Sequence, residues 1–192
     1  RAALGGQRID TLYLVACVAK KLPHRAPADQ VYQSDWFKKA RAYVQAQGAP
    51  WLILSAKYGL VEPDTIIDPY EQTLNTMTAS QRRAWAEPVL ESLLRLDPRK
   101  IVILAGRKYR DDLIPGLRAA GIEVVVPMEG LGIGSQLGWL KRHGPESRAN
   151  PSQTSMLPPL PDDAVRYLGI LAQRPHGYAQ PYPPGIEYLV GH

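Results

Sequence analysis

The pattern of hydrophobic and polar positions along the chain predicts short buried strands that alternate with amphipathic helices. Four runs are apolar at nearly every position, as expected of strands covered on both faces; they lie at 11–18, 51–54, 100–105 and 122–126. Each crossover between consecutive runs contains a helical pattern, so the four strands should be parallel within one sheet. We therefore predict an α/β domain with a mostly parallel sheet, flanked by helices on both faces.

Apolar residues at helical spacing predict the connecting helices. These lie at 35–47, from Thr78 or Ser80 to residue 96, at 110–120 and at 135–143. Pro88 should kink or break the second of them, because proline removes a backbone donor.

Composition changes after residue 143. Residues 144–160 lack apolar periodicity and are typical of a linker. An amphipathic helix over 161–173 and a Pro- and Tyr-rich tail should follow. The predicted organisation is an α/β domain over 1–143, a linker, and a C-terminal helical and extended appendage over 161–192.

Overall composition narrows the choice of partner and compartment. The 192-residue chain is 45% hydrophobic, enough for a real core, and its net charge of +5 weakly favours an anionic partner. A single cysteine, Cys17, excludes an internal disulfide and indicates a reducing compartment, which we take to be the cytoplasm. No apolar run approaches the roughly 20 residues of a membrane span, and the start shows no secretory signal. The first residue is Arg1 and not Met, which suggests a segment cut from a longer chain.

The stretch 51–70 changes abruptly from a buried strand to a polar loop. Ser55, Lys57 and Tyr58 follow the strand directly, and rigid turns are predicted at 62–64 and 68–70. About fifteen residues without clear periodicity after a core strand are typical of a functional loop.

Polar residues also follow the first and third predicted strands. Because parallel strands present their carboxyl ends to one sheet edge, where ligands bind in open α/β sheets, these residues should converge. The predicted cleft is lined by Lys20, Ser55, Lys57, Tyr58, Asp68, Tyr70 and Tyr109. Each also has a structural interpretation: a solvated lysine, a core phenol or a turn carboxylate. Cys17 is interpreted as a core residue, since no base is paired with it in the sequence.

A glycine-rich loop at 127–134 precedes the last helix of the predicted domain. Gly130, Gly132 and Gly134 could let backbone N–H groups meet an anion. Their spacing and position fit neither a dinucleotide fingerprint nor a P-loop, which favours a tight turn. No cofactor and no metal are predicted.

The motif Ser55-x-x-Tyr58-Gly59-Leu60-x-x-Pro63-Asp64-x-Ile66-x-x-Pro69-Tyr70 resembles the signature of the YaaA-like superfamily of peroxide-stress proteins. The chain resembles still more closely a small uncharacterised bacterial and phage family with a Ser-Ala-Lys-Tyr-Gly-Leu motif. That likeness covers about residues 10 to 142 and is carried by Cys17, Lys20, Ala28, Tyr32, Ser34, Phe37 and 55–60, with later matches at Gly106, Tyr109, Pro127, Gly134 and Gln136. It departs at Ala16, where the family pattern has Ser.

The resemblance implies nucleic-acid work, with DNA favoured, and makes a DNA glycosylase-like enzyme the leading hypothesis. Asp68 would stabilise positive charge on the sugar, with Lys57 and Tyr58 beside it, and Tyr58 or Tyr70 would stack on the base. The expected nucleic-acid-binding residues are Lys20, Lys21, Ser55, Tyr70, Arg107 and Tyr109. Two alternatives stay open: a non-catalytic DNA-binding stress-response module, and an enzyme on free nucleosides or nucleotides.

Overall fold

A computed structural model describes residues 8–145 of the chain. The predicted C-terminal helix and tail, and all but the first two residues of the predicted linker, lie outside the described residues. The strands are β1 Thr11–Ala16, β2 Ala26–Pro27, β3 Trp51–Ser55, β4 Gly59–Val61, β5 Ile66–Ile67, β6 Lys100–Leu104 and β7 Glu123–Val125. The helices are α1 Ala28–Val31, α2 Asp35–Gln45, α3 Ala79–Leu96, α4 Arg107–Arg110, α5 Ile114–Ala119 and α6 Ile133–His143.

The main sheet has five strands in the order β4-β3-β1-β6-β7. The pairs β1–β3, β1–β6 and β6–β7 are all parallel, which confirms the predicted parallel arrangement of the four buried strands. In the centre, Val15 lies opposite both Ile53 and Leu104. All three side chains are fully buried, so the hydrophobic core is centred on β1.

Helices flank this sheet, as the sequence predicts. Helix α2 packs on β1 and on α6, whereas α3 contacts β4 and α5. Helix α2 begins where the Ser34 hydroxyl accepts a hydrogen bond from the Phe37 N–H, and its buried stripe includes Trp36, Phe37 and Val44. These apolar stripes attach the helices to the sheet.

Two helix predictions need correction. Helix α3 is continuous from Ala79 to Leu96 with Pro88 inside it, so of the predicted kink or break at Pro88 the break does not occur. The segment predicted as one helix over 110–120 contains only the last residue of α4, a turn at 111–113 and the short helix α5. Pro115 lies in the first turn of α5, where its missing N–H costs nothing. In a continuous helix the same residue would leave the Asp111 carbonyl without its donor, which explains the interruption.

The loop after β3 is more ordered than its sequence indicates. Gly59, at φ +71°, turns the chain so that β4 pairs antiparallel with β3. Strand β5 then pairs antiparallel with β2. The expectation of a loop without strands was therefore wrong, because strands of two and three residues are too short to show alternation.

Backbone hydrogen bonds attach this loop to the segment after β1. The Ala28 N–H donates to the Thr65 carbonyl and the Asp29 N–H to the Pro63 carbonyl, both at 2.8 Å.

Within residues 8–145, no helix combines the length and the apolar character needed to cross a membrane.

Glu62 in this loop supplies a pH-dependent contribution to stability. Its Oε1 is buried without a hydrogen-bond partner among the described residues, and burial, with a smaller effect of Asp64, raises its pKa from 4.5 to about 7. The folded state therefore binds the proton of the Glu62 carboxyl group more tightly than the unfolded state does. As a result, the free energy of unfolding falls as pH rises from 4.5 through about 7.

We expect Glu62→Gln to flatten that fall, because the amide carries no charge at any pH. The variant should be more stable than the parent protein at about pH 8 and close to it at about pH 4.5, by urea unfolding at both values. Glu87→Gln, at an exposed position of α3, is the control. Equal pH profiles for the parent and Glu62→Gln would contradict the assignment.

Candidate functional site

A cleft of about 490 Å³ lies at the carboxyl ends of β1 and β6. Its lining residues come from five parts of the chain: Ala16, Cys17, Val18, Ala19 and Lys21; Trp36; Glu71, Gln72, Thr73 and Asn75; Gly106, Arg107, Lys108 and Tyr109; and Ile133 and Gln136. The chain passes from β1 to β3 on one side and then crosses to β6 on the other. The cleft thus occupies the point where the strand order reverses, the usual ligand site of open α/β sheets.

A buried network of hydroxyl groups lies at the same edge. The Tyr70 hydroxyl is 2.7 Å from Ser55 Oγ and 2.8 Å from the Tyr32 hydroxyl. The Tyr58 N–H donates to Ser55 Oγ at 3.0 Å, and the Trp85 indole N–H donates to the Ser55 carbonyl at 2.9 Å. The network joins the end of β3 to the 68–78 segment and to the residue that follows α1.

The thiol of Cys17 lies at the floor of the cleft. Its Sγ is 3.3 Å from the Tyr109 hydroxyl, which also accepts a hydrogen bond from the Leu74 N–H at 3.4 Å. The Trp85 ring packs edge-on against Tyr109 with centroids 5.8 Å apart. Tyr109 therefore links β1, α4 and the segment that forms one wall.

Burial makes the phenols of the network and of Tyr109 harder to deprotonate. Removal from water, and the neighbouring Cys17, raise the pKa of Tyr32, Tyr70 and Tyr109 well above the ordinary value for tyrosine. At neutral pH these groups can donate and accept hydrogen bonds, but none of them can act as a base.

Lys21 brings a cation to the cleft. Its ammonium lies 4.3 Å from the centroid of the Tyr70 ring, a cation–π contact. Burial lowers the pKa of Lys21, while Cys17 and Glu71 act in the opposite direction.

Further charges stand at the rim. Lys108 Nζ donates to the Asn75 carbonyl at 2.6 Å, and Arg107 Nε lies 3.1 Å from Asp111 Oδ2. Both cations and the Glu71 carboxylate are exposed to solvent. The rim therefore carries an excess of positive charge.

The structure places the predicted site residues in four different surroundings. Tyr109 lines the cleft, as do Lys21 and Arg107 from the predicted nucleic-acid-binding set. Ser55 and Tyr70 belong to the buried hydroxyl network. Lys20 is exposed and does not line the cleft.

Lys57, Tyr58 and Asp68 lie together, but outside the cleft. Lys57 Nζ is 5.4 Å from the Tyr58 ring, and the Tyr58 hydroxyl donates to the Asp68 backbone carbonyl at 3.4 Å. The Asp68 carboxylate is exposed and lies 3.5 Å from Arg25 Nε. Pairing of β5 with β2 directly before Asp68 fixes it beside Arg25, and this corrects the expectation of one seven-residue cleft.

Sequence reasoning missed Glu71, Trp36, Gln136 and Tyr32, and it treated Cys17 as core. A usable signal existed for Cys17, which directly follows the first strand at the edge where ligands collect. Glu71 and Tyr32 lie in irregular segments, and their convergence depends on the path of the 56–78 loop. No three His, Cys, Asp or Glu side chains within the described region could together hold a metal ion.

Residues 12–142 match the model of a family described as Family of unknown function (DUF6884), and the chain belongs to that family. It is also 31% identical over 115 residues to the Uncharacterized protein YfjM of Bacillus subtilis (strain 168), across 53% of this chain and 73% of that protein. No solved structure gives a significant match. The family match spans every residue of the cleft and of the hydroxyl network.

Tyr70→Phe should test the hydroxyl network. The substitution removes the oxygen that both the Ser55 and the Tyr32 hydroxyls contact, and Ser55 Oγ keeps only the hydrogen bond from the Tyr58 N–H. It should therefore cost about 1–3 kcal/mol of unfolding free energy in denaturant titration. Tyr13→Phe is the matched control, because that phenol has no hydrogen-bond partner in the described part of the chain. Similar small losses for the two variants would refute the role given to Tyr70.

Proposed function

We propose that this protein binds nucleic acid, with DNA favoured, and acts on a base extruded into the cleft in the manner of a DNA glycosylase. One observation carries the proposal: a single cleft combines a cationic rim, a carboxylate and uncharged polar side chains at the switch point of the sheet. The resemblance of the 55–70 motif to YaaA-like proteins supports the same function.

The size and charge of the cleft fit this ligand. A volume of about 490 Å³ suits one base and its sugar, within the usual range for small-ligand sites. Lys21, Arg107 and Lys108 would neutralise phosphates on either side of an extruded nucleotide. Thr73 and Asn75 would offer hydrogen bonds to the base edge, which is how flipped bases are recognised.

The proposed reaction is hydrolysis of the bond between base and sugar. The base leaves with the bonding electrons, positive charge develops on the sugar, and water adds to the sugar carbon. A carboxylate must stabilise that charge or accept the proton from water. We assign this role to Glu71, since it lines the cleft, whereas the Asp68 carboxylate faces Arg25.

Tyr109 would have a different role in the reaction. Because the phenol of Tyr109 stays protonated at neutral pH, it would offer a hydrogen bond to the departing base and would not activate water.

The rim also bears on the two alternatives. A free nucleoside has no phosphate to meet Arg107 and Lys108, and a free nucleotide carries phosphate on one side only, whereas an extruded nucleotide of a polynucleotide has a phosphate on either side. A non-catalytic DNA-binding module would use the same rim but would have no need of Glu71.

We expect DNA binding to weaken steeply as salt rises, and Arg107→Ala to reduce the slope of log affinity against log salt by about one unit. Arg118→Ala, an exposed arginine of α5 outside the cleft, is the matched control and should leave the slope unchanged. Fluorescence anisotropy with a labelled oligonucleotide, from low to moderate salt, measures the slope for the parent protein and for both variants. Absence of binding at low salt would exclude the nucleic-acid function and favour nucleosides.

We expect Glu71→Gln to lower base release by about two to three orders of magnitude with binding largely kept. Asp68→Asn is the control and should retain release, since its carboxylate lies outside the cleft. The measurement is incubation with variously modified phage and host DNA, followed by mass spectrometry of freed bases. Binding without release by the parent protein would favour the non-catalytic module. If Asp68→Asn lost base release and Glu71→Gln did not, Asp68 would be the catalytic carboxylate, as predicted from the sequence.

A further inference from the structure

Two large apolar side chains are exposed at one rim of the cleft. Ile133, which lines the cleft, is 65% exposed, and Leu131 is 37% exposed. Leu131 lies in the turn that leads into α6, after Gly130 at φ +76°, and Ile133 is the first residue of that helix. The cations Arg107 and Lys108 line the same cleft.

Contacts on both sides hold this turn in place. Before it, Glu129 Oε1 accepts a hydrogen bond of 2.8 Å from Arg110 Nη1, and the Arg110 side chain is only 8% exposed. After it, the Gln136 amide donates to the Leu131 carbonyl at 2.8 Å. The Trp36 indole N–H in turn donates to Gln136 Oε1 at 2.8 Å, which fixes that amide.

The turn therefore presents apolar side chains in a fixed position. Hydrogen bonds and an ion pair hold its backbone, while Ile133 belongs neither to the buried core nor to the partly buried apolar residues packed against it. An exposed apolar side chain held beside a base-sized cleft is placed to pack against an apolar surface of the ligand.

We propose that Ile133, with Leu131 beside it, is a wedge that enters the base stack of duplex DNA and takes the space of the base extruded into the cleft. The inference rests on the proposed nucleic-acid function and adds the form of the substrate, a duplex. Extrusion leaves a gap between neighbouring base pairs, and proteins that distort duplexes insert Ile, Leu, Met or Phe at such steps. Arg107 and Lys108 would bind the DNA backbone, while Ile133 prevents the extruded base from re-entering the base stack.

The experiment compares a short duplex, in which 2-aminopurine lies next to a mismatched base, with the corresponding single strand. A mismatch lowers the cost of extrusion, and 2-aminopurine fluorescence rises when stacking is lost. For Ile133→Ala we expect duplex affinity to fall about tenfold or more and the fluorescence rise to disappear, with single-strand affinity unchanged. Ile133→Leu should restore both signals.

Leu94→Ala is the matched control, because Leu94 is 38% exposed on α3 and does not line the cleft. Duplex affinity and fluorescence unchanged in Ile133→Ala would overturn the wedge while the proposed function stands. Equal losses on duplex and single strand would also overturn it, since Ile133 would then contact the ligand inside the cleft. No binding of either probe by the parent protein would overturn the proposed function itself.

Discussion

The arrangement of this protein depends on one buried oxygen, the hydroxyl of Tyr70. It lies within hydrogen-bond distance of both Ser55 and Tyr32, so three separate segments of the chain meet at this oxygen. Buried hydroxyls are costly when unpaired, so each member of the network constrains the other two. Strand pairing directs the first part of the segment between β3 and α3, and this constraint fixes its position at Tyr70. The wall of the cleft that includes Glu71 follows directly after Tyr70.

The cleft therefore lies directly beside the hydroxyl network and depends on it for support. The sheet supplies the edge, because β1 and β6 end side by side at the switch point. Cys17 and Tyr109 form the floor, and the hydroxyl network supports the wall. Ser55 and Tyr70, which the sequence predicted to line the cleft, are buried supports beneath it, and the groups available to a ligand are their neighbours.

The sequence predicts the architecture well and the site only in part, for a physical reason. Strands β1, β3, β6 and β7 could be recognised because a strand buried on both faces needs a continuous apolar run. Strands β4 and β5 could not, since their two or three residues are held by pairing partners distant in sequence. The position of Asp68 depends on that pairing, so the carboxylate nearest the central motif in sequence lies beside Arg25. Tyr109 could be placed correctly because it follows a core strand within a few residues.

Both edges of the main sheet end in strands of three residues, β4 on one side and β7 on the other. An unpaired strand edge is a template on which another chain can add by backbone hydrogen bonding, and the risk grows with its length. Here the long apolar strands are all internal, and β4 runs antiparallel to its neighbour. The core strands most prone to form intermolecular sheets are thus shielded by short ones, which allows the chain to keep a strongly apolar sheet without offering a long edge for aggregation.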